Sequence, residues 1–512
     1  MNVLPLLSVP FFAITAMAAD QPQWGEAWSR NMVSSERGLP DSFDPDTGRN
    51  IKWSAPLGGE THSTPVVAGG RIFIGTNNDA PRDPKIPGDR GVLLCLDEKD
   101  GHLLWQLAAP KRTDDQYFDW PKAGISSVAT VERDRVYVVG NRGDVLCLDV
   151  HGLANGNDGP FSEEAAYLTP HAAPPPGFLP VLASSGAVQP GVTDADIVWM
   201  FDLPSGAGIW PHDAAHSSIL VHGDFLYLNS GTGVDNTHRV IRTPEAPSLV
   251  VLEKATGRLV ARDDGKIAPR IFHSTWSSPS LMKVDGREMI VFAGGDGIVR
   301  GFEPLASSPA AGEVRTLREL WSYDPDPDAP KEDVHRFTTN KLQGPSNIYG
   351  MPVVIGSRVF VGVGGDVFWG KNVAWLKCAE IRGKGDALAA TEAWSYALEK
   401  HVLSTPAVRD GLAFIADTGR KLHCVDAATG MPIWHHEAKG DFWASPLVAD
   451  GKIFIGTRKG DFWVFAAARK AEVLSTIELK SPISATATAA NGVLYVATQA
   501  RLFAISSGLT AK

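Results

Sequence analysis

The stretch "DPDTGRNIKW", residues 44–53, recurs near the other end of the chain as "DAATGMPIW", residues 426–434. Weaker copies lie between them, "DEKDGHLLW" at 97–105 and "EKATGRLVA" at 253–261. Each internal copy follows an apolar run that is typical of a strand, whereas the first copy follows no such run. The chain therefore begins with the tail of its own repeat.

The clearest complete unit starts at Leu403 and reads "LSTPAVRDGLAFIADTGRKLHCVDAATGMPIWHHEA". Glycine-containing turns such as Asp410-Gly411 divide it into short apolar segments. These segments predict four strands, at 403–408, 412–417, 421–426 and 432–437. The unit thus has the pattern of a four-stranded antiparallel sheet.

Related units recur along the chain, with starts at residues 62, 124, 216, 275, 349, 403, 442 and 481. Repeated sheets of this kind predict an all-β fold, an eight-bladed β-propeller over residues 44–507. An open solenoid is the alternative, and it would need atypical capping repeats at both ends. The last unit ends at 506 after three strands. We therefore expect residues 51–57 to pair with the strand around 502–505 and to close the ring.

Ring closure gives the two N-terminal segments different expected roles. Deletion of residues 44–57 should destabilise the whole propeller, because it removes one strand of the last blade. Trimming of residues 19–40, which carry no repeat pattern, is expected to cost far less stability.

Composition excludes some classes of partner. The 512 residues carry a formal net charge of −10 with 21% charged and 44% hydrophobic residues, which is ordinary for a soluble globular protein. An acidic balance disfavours nucleic acid, whose binding surfaces are basic. After the N-terminus no stretch is long and apolar enough for a membrane helix.

The N-terminus has the pattern of a secretory signal. Residues 3–16 are largely apolar and end in the small-x-small motif Ala16-Met17-Ala18, although no Lys or Arg precedes them. No Cys follows Ala18, so a lipid anchor is not expected. We interpret residues 1–18 as a signal peptide cleaved near Ala18 and 19–43 as an N-terminal extension. This predicts a periplasmic or secreted protein.

The four cysteines occupy similar contexts in different units: "LLCLD" (Cys95), "VLCLD" (Cys147), "LKCAE" (Cys378) and "LHCVD" (Cys424). Equivalent positions of different blades lie farther apart than the roughly 7 Å between Cα atoms that a disulfide tolerates. The cysteines are therefore expected to be buried and unbridged. No Cys-x-x-Cys-His motif for covalent haem is present.

The unit "STPAVRDGLAFIADTGRKLHCVDAATGMPIW", residues 404–434, resembles the PQQ-like (quinoprotein-type) propeller repeat. This repeat occurs in quinoprotein alcohol dehydrogenases and in an outer-membrane assembly lipoprotein grouped with them. The resemblance implies that the glycine turn and the tryptophan of each unit dock neighbouring blades. It assigns that role to Trp53, Trp105, Trp321, Trp394 and Trp434. The repeat is architectural, so the resemblance does not decide the function.

Strand direction places the loops after the second and fourth strands of every blade on one side of the ring, here termed the loop face. Long insertions concentrate there, which is where binding residues usually lie. A central funnel on this face is predicted to be lined by aromatic and polar residues: His62, Arg142, His212, His216, His273, Trp276, Lys341, Asn347, Tyr349 and Trp443. The alternative is that these side chains fill the channel and contact neighbouring blades.

Cofactor binding is left open by the sequence. In the resembling dehydrogenases, PQQ sits on a tryptophan beside Ca²⁺, a catalytic Asp and a vicinal Cys pair. This chain has no adjacent cysteines, and the candidate for the catalytic Asp is Asp296. The loop "NGNDG" offers Asn155, Asn157 and Asp158 as Ca²⁺ ligands but lacks the terminal Glu of an EF-hand loop. An Asx-rich turn is the alternative for that loop.

The sequence therefore leaves two functions open. The first is an exported scaffold that binds a small molecule, a glycan or an envelope protein through the loop face and the funnel. The second is a PQQ-dependent alcohol or sugar-alcohol dehydrogenase that uses the same funnel. No residue motif in the chain decides whether it is an enzyme.

Overall fold

The computed structural model describes residues 19–112, 120–170, 187–213, 217–385 and 387–509. These residues form eight antiparallel sheets, each a blade of a closed propeller. The predicted eight-bladed, all-β fold is confirmed. Among the helices in these ranges, none is long and apolar enough to cross a membrane.

The strands of the first four blades follow the chain from the channel outward. Their bounds are Val66–Ala68, Arg71–Asn77, Arg90–Asp97 and Leu103–Pro110 in blade 1; Thr130–Glu132, Arg135–Val139, Asp144–Asp149 and Ile197–Asp202 in blade 2; Leu220–His222, Phe225–Asn229, Leu249–Glu253 and Leu259–Arg262 in blade 3, with Arg315–Thr316 added in parallel; and Ser280–Val284, Arg287–Ala293, Val299–Phe302 and Glu319–Tyr323 in blade 4.

The remaining blades repeat this order, and short helices occupy some connections. Blade 5 contains Val353–Ile355, Arg358–Gly364, Ala374–Arg382 and Ala389–Leu398; blade 6 Ala407–Arg409, Leu412–Ala416, Lys421–Asp426 and Pro432–Glu437; blade 7 Leu447–Ala449, Lys452–Gly456, Asp461–Ala466 and Val473–Glu478; blade 8 Thr488–Ala490, Val493–Ala497, Arg501–Ile505 and Ile51–Pro56. The α-helices are Glu164–Leu168 and Leu203–Ala207, and the 3₁₀ helices are Gly152–Asn155, Ala268–Arg270 and Val334–Phe337.

The N-terminal strand closes the ring as predicted. Ile51–Pro56 pairs antiparallel with Arg501–Ile505, with Trp53 opposite Ala504 and Ala55 opposite Leu502. Trp53 and Ala55 are buried while Lys52, Ser54 and Pro56 are exposed, which is the alternation of a strand with one buried face. The repeat tail at 44–53 is thus the start of the outer strand of blade 8.

Hairpin turns set the register at the inner edge of the blades. Asp410-Gly411, Asp450-Gly451 and Asn491-Gly492 each have two consecutive positive φ angles, for example 51° and 76° in the first pair. A two-residue type I′ turn needs this conformation, which Asp, Asn and Gly tolerate. These turns ring the side of the channel opposite the loop face, here termed the turn face.

Tryptophans on outer strands bridge adjacent blades. The indole Nε1 atoms of Trp53, Trp105, Trp394 and Trp434 donate to carbonyls of the following blade at 2.9–3.2 Å. Gly101 lies against the ring of Trp53, where a Cβ atom would come within 2.5 Å of the indole. Trp321 differs, because its Nε1 lies 3.4 Å from Met289 Sδ within its own blade. Trp199, which the sequence reading did not single out, bridges to Lys254 O at 3.1 Å.

Each cysteine lies directly opposite one of these tryptophans on the neighbouring strand, in the pairs Cys95–Trp105, Cys147–Trp199, Cys378–Trp394 and Cys424–Trp434. All four are buried and free, which confirms the expectation from their spacing. Burial raises the pKa of Cys147, Cys378 and Cys424 to about 12, so these thiols stay protonated at neutral pH.

The N-terminal extension closes the channel at the turn face. Its residues 21–34, here termed the plug, hydrogen-bond to one blade after another, at the inner strand or just before it. Plug atoms pair with Val67 and Val131 in blades 1 and 2, Ser218 and Ile219 in blade 3, Leu281, Val354 and Val408 in blades 4, 5 and 6, and Val448 and Ala489 in blades 7 and 8. The segment therefore contacts all eight blades.

Arg30 is the centre of the plug. It is fully buried, and its guanidinium donates to the carbonyls of Trp24, Ser218, Ile219 and Pro279 at 2.9–3.4 Å. Burial lowers the pKa of Arg30 to about 9, which leaves the side chain charged at neutral pH. A charge held by backbone carbonyls of two blades ties the plug to the ring. These contacts give a reason to expect that trimming residues 19–40 costs more stability than their lack of a repeat pattern predicts.

Candidate functional site

A cavity of about 670 Å³ opens on the loop face, above the plug. Its described lining is rich in aromatic rings and consists of Trp24, Glu60, His62, Trp120, Ala123, Asp213, His238, His273, Trp276, Tyr349, Phe368, Trp369, Leu403, Trp443, Ser445, Arg458 and Ser484. Trp24 belongs to the plug, so the N-terminal extension contributes to the floor. We keep the name funnel for this cavity.

Residues just before the inner strands form part of the funnel wall. The rings of Trp276 and Tyr349 lie 4.6 Å apart, and those of His62 and Trp443 lie 6.1 Å apart. The Arg458 guanidinium covers one face of Trp443, at 4.7 Å from the ring centroid. The four rings enter the funnel because each inner strand begins at the loop face and runs toward the turn face, whereas Arg458 follows the second strand of blade 7.

The loop after the second strand of blade 5 contributes the most exposed rings. Phe368 and Trp369 are 47% and 37% exposed and flank the funnel. Their backbone N–H groups both donate to Asp366 Oδ1 at 2.8 Å, which holds the loop in place. The sequence analysis predicts long insertions on the loop face but does not single out these two rings. The signal was present in "GGDVFWG", where adjacent aromatic residues follow an Asp in a turn.

Asp366 also binds two side chains of the funnel wall, His273 and Tyr349. Its Oδ2 lies 3.1 Å from His273 Nδ1 and accepts a hydrogen bond from the Tyr349 hydroxyl. Burial opposes ionisation of this carboxyl group, but the hydrogen bond and charge of His273 and the hydrogen bond from Tyr349 lower its pKa overall. Asp366 is therefore ionised and fixes the orientation of the His273 ring.

Three histidines converge at the funnel wall. His212, His238 and His273 come from three separate loops, and each presents a ring nitrogen within 4.8 Å of those of the other two. The Nε2 atoms of His212 and His273 are 3.1 Å apart. Asp213 Oδ2 lies 3.5 Å from His212 Nε2 and 3.8 Å from His273 Nε2. These four residues are here termed the histidine cluster.

The pKa shifts differ between the members of the cluster. Burial, followed by the neighbouring His273 and His238, lowers the pKa of His212 to about 2, so this imidazole is neutral. Burial likewise disfavours the charge on His273, but Asp366 and then Asp213 raise its pKa overall. Burial and the charge of Asp366 raise the pKa of Asp213 to about 6. The cluster thus combines a neutral imidazole, His212, with a second imidazole, His273, whose charged form is favoured by the carboxylates of Asp366 and Asp213.

The backbone of the cluster is unusual. Asp213 and His238 have φ angles of 60° and 57°, a left-handed conformation that few residues other than glycine adopt. Such conformations concentrate at functional sites, where the surrounding structure holds them. Asp213, His238 and His273 line the funnel, and His212 lies fully buried behind them.

The structure brings only some of the predicted site residues together. His62, His273, Trp276, Tyr349 and Trp443 line the funnel, and His212 lies in the histidine cluster. His216 lies outside the described residues.

Three other predicted residues lie away from the funnel lining. The guanidinium of Arg142 packs over Tyr167 at 5.1 Å, and Lys341 is exposed. Asn347 braces the backbone, because its Nδ2 donates to Ser274 O and its Oδ1 accepts from Ile348 N.

The candidate acidic residues have local partners. Asp296 is buried in an ion pair with Arg300, with oxygen–nitrogen distances of 2.7 and 3.0 Å, and it is not part of the described funnel lining. In the "NGNDG" loop, Asn155 Nδ2 donates to Asp158 Oδ2, and the Asp158 amide donates to Asp196. Asn157 lies in the same exposed loop. These contacts are those of a polar turn.

The described residues do not fit PQQ with Ca²⁺. Calcium takes about six to eight oxygen ligands, whereas the histidine cluster offers mainly nitrogen. The amide of Asn347 and the carboxylate of Asp296 are occupied by protein partners. The guanidinium in the described lining, Arg458, already faces Asp441 and Glu60, which leaves little positive charge for a polycarboxylate quinone.

Comparisons with known proteins identify a family profile that matches two parts of the chain. The sequence profile described as outer membrane protein assembly factor BamB matches residues 29–152 and 384–508. The chain matches none of the curated proteins with which it was compared.

Solved structures with a similar chain course share little sequence with it. BamB from Moraxella catarrhalis aligns with 90% of this chain and 98% of its own, at 10% identity and a TM-score of 0.49. Quinohemoprotein alcohol dehydrogenase from Comamonas testosteroni aligns with 98% of this chain and 82% of its own, at 14% identity and a TM-score of 0.45.

The profile match covers blades at both ends of the chain, and the repeated glycine turn and bridging tryptophan recur around the ring. The predicted resemblance is confirmed over these ranges: the chain is an eight-bladed β-propeller that is similar to the PQQ-like repeat family in residues 29–152 and 384–508.

Proposed function

We propose that the protein is an exported carbohydrate-binding propeller whose funnel receives a sugar ring. The observation that carries this proposal is the aromatic lining of a 670 Å³ cavity on the loop face. Ligand cavities of roughly 300–1,000 Å³ with apolar walls and a few polar groups are typical of small-molecule sites.

The chemistry of the wall matches a polyhydroxylated ring. The indoles of Trp369 and Trp443 offer apolar surfaces on which the C–H face of a pyranose can pack. Glu60, Ser445 and Ser484 offer hydrogen-bond partners for hydroxyl groups in the same cavity.

The charge of the wall supports a neutral ligand. Arg458 interacts with Asp441 and Glu60, and Asp213 adds a further carboxyl group. A flat quinone that carries several negative charges would lie beside the carboxyl groups of Glu60 and Asp213. The described lining has no excess of positively charged side chains to balance them. This supports binding of a sugar over the alternative, oxidation of an alcohol or sugar alcohol with PQQ.

Export is part of the same proposal. The apolar residues 3–16 and the Ala16-Met17-Ala18 motif support a signal peptide cleaved near Ala18. A periplasmic or secreted location would expose the funnel to free sugars and to glycans of the cell envelope.

The proposal is tested by titrating the protein with a panel of neutral mono- and disaccharides and following tryptophan fluorescence and heat of binding. At least one sugar should bind, and Trp443→Ala and Trp369→Ala should each weaken it about tenfold or more. Trp28→Ala is the matched control, because Trp28 is 38% exposed and is not among the described residues that line the funnel. Its neighbours Glu26 and Ala27 line a separate pocket with Ile355 and Arg409, at the ends of two inner strands.

A parallel sample receives PQQ and Ca²⁺ with an alcohol and a reducible dye. Dye reduction would support the dehydrogenase and overturn the proposal. Absence of binding by every sugar, or equal weakening by Trp28→Ala, would overturn it as well.

A further inference from the structure

The histidine cluster has the geometry of a metal centre. We propose that His212, His238, His273 and Asp213 bind one divalent transition-metal ion of the zinc type at the wall of the funnel. This inference does not depend on carbohydrate binding, since it rests on the cluster alone.

The distances fit a single ion. Zinc–nitrogen bonds are about 2.0–2.1 Å, so two imidazole nitrogens in a tetrahedral site lie about 3.3 Å apart. The Nε2 atoms of His212 and His273 are 3.1 Å apart, and Asp213 Oδ2 lies 3.5 and 3.8 Å from them. His238 completes the set, with its ring centroid 4.9 Å from that of His212 and 5.3 Å from that of His273.

The ligand chemistry selects the class of ion. Three imidazoles and one carboxylate suit zinc, cobalt, nickel or copper, whereas calcium and magnesium prefer oxygen. Three donor rings in contact at a half-open wall form an arrangement that a cation would stabilise.

The residues around the cluster hold it in the form that metal sites need. His273 Nδ1 hydrogen-bonds to Asp366, which directs Nε2 toward the other members. A carboxylate that accepts from the remote nitrogen of a ligating histidine fixes the tautomer and strengthens the donor. Asp366 is in turn held by Tyr349 and by the amides of Phe368 and Trp369.

The position of the cluster gives the ion access to a ligand. His238, His273 and Asp213 line the funnel, whereas His212 is enclosed behind them. The ring of Trp369 lies 5.6 Å from that of His238, and the ring of Phe368 lies 5.6 Å from that of His273. A metal here would be reached from the same cavity that the aromatic rings surround.

The test uses the metal alone. The full mature chain is stripped with a chelator, titrated with Zn²⁺ by calorimetry and, separately, with Co²⁺ by visible absorption. We expect one ion per chain, a tetrahedral Co²⁺ spectrum and no uptake of Ca²⁺. His238→Asn should weaken binding at least 100-fold while the chain stays folded, since Asn tolerates the left-handed backbone of this half-exposed position.

Two further variants complete the design. His102→Asn is the control, because His102 lies with Asp97 and Asp100 in an exposed trio that also brings three ligand atoms together. It should leave binding unchanged. Asp366→Asn should weaken binding about 10- to 100-fold, as loss of an orienting carboxylate does.

The proposal is overturned if the stripped wild-type protein takes up neither Zn²⁺ nor Co²⁺, or if His102→Asn abolishes uptake while His238→Asn preserves it. Because no sugar is present, either result is independent of the outcome of the carbohydrate titrations.

Discussion

The two ends of the propeller channel are built in opposite ways. At the turn face, the plug hydrogen-bonds to every blade at or just before its inner strand, and Arg30 is buried at the centre of the plug. At the loop face, aromatic rings surround a cavity, and Phe368 and Trp369 remain exposed. The difference shows that the channel is closed by the plug at the turn face and open at the loop face, where we propose that the ligand binds.

Removal of the floor is expected to have the largest effect. A chain that lacks residues 19–36 should lose cooperative thermal unfolding or melt at least 10 °C lower, because hydrogen-bond partners in all eight blades are left without the plug. Calorimetry of the truncated and mature chains measures this. A melting temperature within 2 °C of the mature chain would show that the ring is stable without its floor.

A single substitution in the plug should reproduce part of this loss. Arg30→Met keeps the length of the side chain but leaves several buried carbonyls without a donor, so the free energy of unfolding should fall by about 3 kcal/mol. Arg37→Met, at an exposed position just after the plug, is the control and should change it by less than about 0.5 kcal/mol. Urea titrations that give equal values for the two variants would contradict the role of Arg30.

Trp24 connects the plug at the turn face with the funnel at the loop face. It belongs to the plug but lines the funnel, so Trp24→Ala should weaken sugar binding about tenfold, or about 1.4 kcal/mol. Fluorescence titration with the best sugar from the panel measures the affinity, and the melting temperature controls for folding. Unchanged affinity in a folded variant would mean that the ligand does not reach the floor.

The smallest effect on stability is expected at the rim. Trp369→Ala should change the free energy of unfolding by less than about 0.5 kcal/mol, because the ring is partly exposed and belongs to a loop. The same urea titrations apply. A loss above about 1 kcal/mol would show that Trp369 contributes to the packed core. That result would contradict the proposed difference between the two ends of the channel.

The fold could be predicted because its signals are local. Asp-Gly and Asn-Gly turns, alternating apolar residues and the recurrent Gly and Trp define each blade within about 40 residues. The missing strand of the last unit then predicted the closing role of residues 51–57.

The plug could not be predicted in this way. Its residues contact one strand per blade, so they show neither a strand period nor a helix period. Arg30 reads in the sequence as an ordinary surface charge, and only the closed ring shows that carbonyls from blades 3 and 4 surround it.

The sequence predicted only part of the funnel, because only some of its residues lie in the repeat register. His62 and Trp443 precede inner strands, so the repeat register places them at the funnel. His212, His238 and His273 lie in loops without a period, and their convergence depends on the paths of three loops. Asn347 has the same register as the funnel residues, but its amide is used to brace the backbone.

Hydrogen exchange followed by mass spectrometry tests most directly whether the channel is closed at the turn face and open at the loop face. Without ligand, peptides that cover 19–36 should exchange as slowly as the inner strands, whereas peptides that cover 365–373 should exchange faster. Addition of a bound sugar should slow exchange in 365–373 and leave 19–36 unchanged. Rapid exchange of 19–36 in the free protein, with protection by the sugar in that segment alone, would contradict the account.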